Sequence, residues 1–301
     1  GRAEGTGGGR GLLWRSCRTC QGGLDEPNRF ESFEPAGHFR RGKARLIAGG
    51  TDLLVTKPPG VETLVDVGGL NLSYLKEEQG TIRIGSATTV DLIENSPLLV
   101  DWPCQVLAEA AKSMATPTIR NMATIGGNVC NGSPAADLSL ALMALGASVK
   151  LIGPKGGRTL PLNDFHGGLN RTVLDEDELL AEVLIPRSTG GASFLKLRRH
   201  QTAVDIAVVN VATRLKCVNG RCVDARIVLG SVAEKPIGAL KAQAVLLDQI
   251  LGPGVIQKAA EQAAEEAKPI SDIRASASYR KRMVAVLVRR SLEISAGRCR
   301  A

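Results

Sequence analysis

Asn219-Gly220 constrains this chain more than any other dipeptide in it. It stands between ATRLKCV and RCVDARIVL, two runs rich in aliphatic and β-branched residues. An Asn-Gly pair adopts positive φ angles at little steric cost, and the type I′ turn it forms matches the twist of two paired strands. The last third of the chain therefore reads as antiparallel strands, FLKLRR (194–199) and AVDIAVVNVATRLKCVNGRCVDARIVLGSVA (203–233). Two helical patterns follow. VIQKAAEQAAEEA (255–267) stops near Pro269, and ASASYRKRMVAVLVRRSLEISA (275–296) has Ser271 or Asp272 placed to cap it. Strands and then helices predict a separate α+β domain from about residue 190.

The preceding half is built differently. ARLIAGGTDLLV (44–55), TLVDVGGL (63–70) and TIRIGSATTV (81–90) are short β-rich runs bounded by glycine. DWPCQVLAEAAKSMA (101–115) has Pro103 near a first helical turn and an apolar stripe at Val106, Leu107, Ala110 and Ala111. ASVKLIGPKGGRTLPLNDF (147–165) holds strands around a Gly-Pro-Lys-Gly-Gly turn, and DELLAEVLIP (177–186) is a strand ended by Pro186.

Composition narrows the classes. The 301 residues suffice for two or three compact domains, and no apolar run reaches the length of a membrane span. The net charge of +8 is concentrated: residues 1–45 hold nine Lys and Arg against five Asp and Glu. With only nine aromatic residues and no interleaving of aromatic and basic side chains, nucleic-acid binding is not expected. Seven cysteines without a pairing pattern fit free thiols in a reducing compartment, so a cytoplasmic protein is expected. Cys17-x-x-Cys20 lacks the second pair a tetrahedral metal site needs. Cys217 and Cys222 read as neighbours of the hairpin turn, and His166, in a Phe-His-Gly-Gly loop, as structural.

Two glycine-rich turns follow apolar segments: Ala48-Gly49-Gly50-Thr51-Asp52 and Thr124-Ile125-Gly126-Gly127-Asn128. Such turns bring backbone N–H groups close to a ligand and suit anionic groups. Neither is a P-loop or a G-x-G-x-x-G fingerprint. The pattern alone leaves open whether they are plain turns or an anion cradle. Asp137 precedes a helical run, Leu138, Ala141, Leu142 and Leu145, that Gly146 ends. It reads as a helix N-cap, with a ligand-facing carboxylate as the other reading.

Together, AGGTDLL (48–54), TIRNMATIGGNVCNGSPAADLSLALMALGA (118–147), FLKLRR…TAVDIAVVNVA (194–212) and SYRKRMVAVLVRRSL (278–292) resemble the FAD-binding medium subunit of molybdenum hydroxylases, the xanthine dehydrogenase / carbon monoxide dehydrogenase family. The resemblance covers roughly residues 44–297. It implies an α+β fold: a two-part FAD-binding domain of the vanillyl-alcohol-oxidase (PCMH-like) type over 43–189, with subdomains about 43–90 and 91–189, and a C-terminal domain of antiparallel strands and helices over 190–301. It implies that Leu46, Ile47, Ala48, Gly49, Gly50, Thr51, Asp52 and Leu53 wrap the FAD pyrophosphate. Thr124, Ile125, Gly126, Gly127 and Asn128 would form a second loop, and Asp137 would contact ribityl or ribose hydroxyls. Met114, Leu180 and Lys196 match positions near the cofactor; the residues themselves also allow core packing for Met114 and Leu180 and a solvated strand charge for Lys196.

The resemblance further implies partners, a molybdenum-cofactor large subunit and a 2Fe-2S small subunit in a dimer of heterotrimers. The chain would pass electrons between the iron–sulfur subunit and an external carrier. A stand-alone FAD-dependent oxidase of the same fold is the alternative, and it would need acid/base groups that the isolated His38, His166 and His200 do not supply. Relatives in this family open with a strand and a helix before the first glycine loop. Residues 1–42 show neither pattern and read as an atypical tail or a mis-specified segment. One branch of the family carries an extra iron–sulfur cluster; the four-cysteine insertion is missing here, and no metal is expected.

Overall fold

A computed structural model describes residues 13–16, 43–101, 103–200 and 205–300. The first sheet is parallel: β1 (Leu13–Ser16), β2 (Ala44–Ile47) and β3 (Thr63–Asp66), with β3 in the middle. The segment read as a tail thus contributes a strand; the rest of residues 1–42 lies outside the described residues. A one-turn helix, α1 (Leu53–Thr56), follows β2.

The second sheet is antiparallel. Its strands are β4 (Leu75–Glu78), β5 (Thr81–Gly85), β6 (Ser148–Gly153) and β7 (Gly156–Pro161) and, after a small hairpin of β8 (His166–Gly168) and β9 (Arg171–Thr172), β10 (Leu179–Pro186). The order is β4-β5-β10-β6-β7, so β10 returns to the centre. Between β5 and β6 run α2 (Val90–Glu94), α3 (Gln105–Lys112), α4 (Pro117–Arg120), α5 (Ile125–Cys130) and α6 (Asp137–Leu145); α7 (Leu162–Phe165) follows β7. The stripe read from the sequence is the buried face of α3: Val106, Leu107, Ala110 and Ala111 have no exposed surface.

The third sheet is β11 (Gly191–Leu197), β12 (Val209–Val218), β13 (Arg221–Gly230) and β14 (Ile237–Gly238), all antiparallel, followed by α8 (Leu240–Leu246), α9 (Pro253–Glu266) and α10 (Ala277–Arg300). Asn219 (φ 50°) and Gly220 (φ 78°) make the turn between β12 and β13, and Cys217 faces Cys222 across it. Helix α10 packs on β11 and β12, while α6 packs on β12 and β13. Strand β12 alternates between these layers. Val209, Val211 and Leu215 join the core under α9 and α10, and Thr213 Oγ1 lies 2.7 Å from both Ser291 Oγ and Ser295 Oγ of α10. Ala212 joins the core of the preceding half, and Arg214 Nε donates to the Ala144 carbonyl at the end of α6. Burial on both sides explains why β12 reads as a nearly continuous apolar run. All nine residues of α6 are buried for the same reason.

Ser271 Oγ accepts from the Ala277 N–H at the start of α10, one of the two caps read from the sequence. Asp272 instead takes Arg274 and Arg280, which hold its carboxyl well below the usual range despite the cost of desolvation. Among the described residues no helix is long and apolar enough to cross a membrane.

Candidate functional site: a cleft between two glycine-rich walls

A cavity of about 1150 Å3 opens between the first sheet and α5, closed on a third side by residues 172–180. Among the residues that the resemblance names, Leu46 through Leu53, Met114, Thr124, Gly126, Gly127, Asn128 and Leu180 line it. Arg45, Asn131 and Leu179 line it too, and no sequence pattern had marked them.

The first wall is the loop from β2 into α1. Gly50 takes a left-handed φ of 68° there. A Cβ on Gly49 would lie 1.8 Å from the Met122 carbonyl oxygen, so this backbone rests directly on the chain entering the second wall. Among the described residues, the N–H groups of Ala48, Gly49, Gly50, Thr51, Asp52 and Leu53 donate to no protein acceptor. Six consecutive free donors beside a cavity form a concave site for anionic oxygens. The loop has little core: Ala48 packs against the Val67 and Leu70 cluster, but α1, which follows, contains no buried residue.

The second wall is not the turn the sequence suggested. Gly126, Gly127 and Asn128 belong to the six-residue helix α5, with Thr124 as its N-cap. Its backbone donors are engaged within the protein. Ile125 N–H bonds Thr88 O at 3.0 Å, Gly126 N–H bonds Ser86 O at 2.8 Å, Gly127 N–H bonds Thr124 Oγ1 at 3.1 Å and Asn128 N–H bonds Thr124 O at 3.0 Å. Gly126 is glycine for space, since a Cβ there would lie 2.7 Å from Ser86 Cβ. Ile125 points into the core and does not line the cavity. What this wall offers a ligand comes from side chains. Asn128 Oδ1 is buried without a hydrogen-bond partner, while its Nδ2 lies 3.6 Å from Met114 Sδ.

Leu179 and Leu180 are consecutive yet both line the cavity. The pairing of β10 with β6 shifts register between Leu180 and Glu182, and such a bulge re-aims side chains. They provide an apolar surface beside Met114 and Val67.

Asp137 and Lys196 are brought together, but not into the cavity wall. The N-cap position belongs to Ala136, which makes no side-chain cap, and Asp137 is the first residue of α6. Its Oδ2 lies 2.5 Å from Lys196 Nζ and its Oδ1 accepts from Asn210 Nδ2 at 2.8 Å. Asp137 is 4 % exposed and the Lys196 side chain is buried with it, so Lys196 is no solvated strand charge but the buried partner of Asp137. Burial pushes the Asp137 carboxyl up, against the opposing pull of Lys196, Asn210 and Arg198. The pair lies just behind the wall, because Lys196 Nζ also reaches the carbonyl of Ser113, next to Met114.

Other titratable groups explain what the cavity does not do. The Cys130 thiol on its wall is pushed up to about 12 by burial, so it is no thiolate nucleophile near neutral pH. His166 is buried with both ring nitrogens unpartnered, lowered to about 4 by burial and by Lys235, and lies outside the lining.

A long ligand with a polyanionic segment fits these walls. The free donors could take anionic oxygens, the unpartnered Asn128 oxygen could accept from a polar edge, and Leu179, Leu180 and Met114 could pack on an apolar ring system. Residues 33–188 match the FAD binding domain in molybdopterin dehydrogenase, and residues 192–294 match the CO dehydrogenase flavoprotein C-terminal domain. The chain belongs to the FAD-binding subunits of the molybdenum hydroxylases. It is 32 % identical over 263 residues to the carbon monoxide dehydrogenase medium chain of Afipia carboxidovorans, covering 85 % of this chain and 90 % of that one. It is 31 % identical to the xanthine dehydrogenase FAD-binding subunit of Escherichia coli O157:H7, covering 82 % and 87 %. Its structure superposes on carbon monoxide dehydrogenase from Hydrogenophaga pseudoflava with a TM-score of 0.82 at 32 % identity, covering 86 % of this chain and 91 % of that chain. The cofactor of this oxidoreductase subunit is FAD.

Proposed function

We propose that this molybdenum hydroxylase subunit works in the cytoplasm as an electron-transfer module, carrying electrons between an iron–sulfur partner and an external carrier. The observation that carries the reading is the row of six free N–H donors in a loop that lines a cavity also lined by the apolar side chains of Met114, Leu179 and Leu180. A binding surface without an activated nucleophile fits a subunit whose chemistry belongs to its cofactor. FAD supplies reversible uptake of one or two electrons. The chain's own residues bind and orient it: Ala48 to Leu53 donate to the pyrophosphate, Asn128 accepts from a polar edge, and Leu179, Leu180 and Met114 enclose the ring. We assign Asp137 and Lys196 to the cofactor's ribityl side, which they would reach from behind Met114. The medium chain of carbon monoxide dehydrogenase among its relatives supports partners of two kinds, a molybdenum-cofactor large subunit and a 2Fe-2S small subunit, in a dimer of heterotrimers. Residues 43–189 would be the FAD-binding domain and 190–301 the C-terminal domain.

Purification from its native source tests this directly. The expected result is one FAD per chain, an absorbance that bleaches on reduction, and two co-eluting subunits carrying molybdenum and iron. A colourless chain that takes up no FAD on reconstitution would overturn the reading.

A further inference from the structure

Beyond the packing of Ala48 on the Val67 and Leu70 cluster, two contacts with the chain of the second wall hold the first wall. One is the backbone contact at Gly49, which leaves no room for a side chain against Met122. The other is a side-chain bond: Asn131 Nδ2 donates to Asp52 Oδ2 at 3.0 Å. Both residues line the cavity, and among the described residues this is the one side-chain hydrogen bond that joins the loop 48–53 to α5 and its C-terminal residue.

The two ends of that bond differ in firmness. Asn131 ends α5 with its N–H on Gly127 O at 3.0 Å, and the next residue, Gly132, takes φ 62°. Gly132 is held between Val129 and the β8–β9 turn: its carbonyl accepts from Asn170 N–H, and a Cβ there would lie 2.9 Å from Arg171 N. Asp52 sits where the free donors give way to α1; it is exposed, as Asn131 is, but has no such backbone bond of its N–H to hold it. Its carboxylate would repel an anion held by the neighbouring N–H groups, so where it points matters to binding.

We propose that Asn131 is a positioning residue for the cofactor: its amide clasps Asp52, holds the first loop against α5, and turns the carboxylate away from the anion-binding donors. This rests on the reading that the cavity takes FAD.

The test uses the full chain, with FAD itself as probe and two readouts. One is the Kd of FAD for the apoprotein. The other is hydrogen exchange of the 48–53 amides without FAD. Asn131→Ala should raise Kd roughly three- to tenfold, the range of one net hydrogen bond, and speed exchange of those amides. Tm should move little, as for other surface substitutions. Asn131→Asp should weaken binding further, because two carboxylates then face each other. The double exchange of Asp52→Asn with Asn131→Asp returns a donor and an acceptor to the same positions and should restore both readouts. Unchanged Kd and exchange in Asn131→Ala, or a double exchange that restores neither, would overturn the clasp. If the unaltered chain takes up no FAD, the assignment of the cavity falls, while apoprotein exchange still decides the clasp.

Discussion

The two walls of the cleft are both glycine-rich, yet they are built to opposite ends. In the first, six consecutive N–H groups are free and the helix that follows buries nothing. In the second, four consecutive N–H groups are bonded inside the protein, and Ile125, Gly126 and Val129 are buried. The second wall gains stability from its backbone; the first keeps its donors for a ligand and gives up stability. Low local stability where binding occurs is a general pattern, and here it is visible as the destination of each N–H group.

The sharpest way to break this contrast lies behind the second wall. Lys196→Ala leaves Asp137 buried without its cation, and breaking such a pair costs about 3–5 kcal/mol. Both the fold and the flavin should be lost at lower temperature, since the pair supports the fold and, in the proposed reading, also faces the ribityl side; flavin release and far-ultraviolet circular dichroism followed in one melt check this. The deficit should shrink in acid. A carboxyl whose folded pKa lies above its unfolded one favours the fold while protonated, and that contribution disappears as pH rises through the folded value.

Acid probes the same question without a substitution in either wall. His166 is lowered to about 4 from an ordinary 6.5, so the unfolded chain binds a proton that the folded chain refuses. Stability should be complete above pH 6.5 and fall by about 3 kcal/mol as pH drops toward 4. His166→Leu should flatten that part of a urea-melt series. If FAD leaves over this range while the fold persists, the first wall rather than His166 is acid-sensitive.

Gly49→Ala acts on the first wall alone. Its methyl would meet the Met122 carbonyl, and relieving such a clash costs about 1–3 kcal/mol. Most of that should appear as lost FAD affinity in a titration, because the loop can lift off with little core to open. A Tm drop as large as that of Lys196→Ala would erase the distinction between the walls. Thr124→Ala should give the smallest change, about 1 kcal/mol from the lost N-cap, seen mainly in Tm.

Much of the fold was legible in the sequence. The α3 stripe, the β6–β7 turn, the Asn219-Gly220 hairpin and the two closing helices each rest on neighbours within a few positions, and the structure has each of them. The segment 124–131 misled: two glycines argue for a turn, but Thr124 caps α5 and the Ser86 and Thr88 carbonyls hold its first residues. Asp137 misled for a similar reason. It looked like a cap because it opens a helical run, whereas Lys196 and Asn210, 59 and 73 positions away, determine where its carboxylate goes.

By itself the sequence determined the local elements, the family and the cofactor, because periodicity, turn residues and a long motif are properties of contiguous chain. Only the tertiary structure decided which glycine-rich segment keeps its N–H groups free, that Asp137 faces Lys196, and that Asn131 meets Asp52 across the cleft. A backbone donor is free or engaged according to which distant carbonyl lies within about 3 Å of it, and no local pattern encodes that distance.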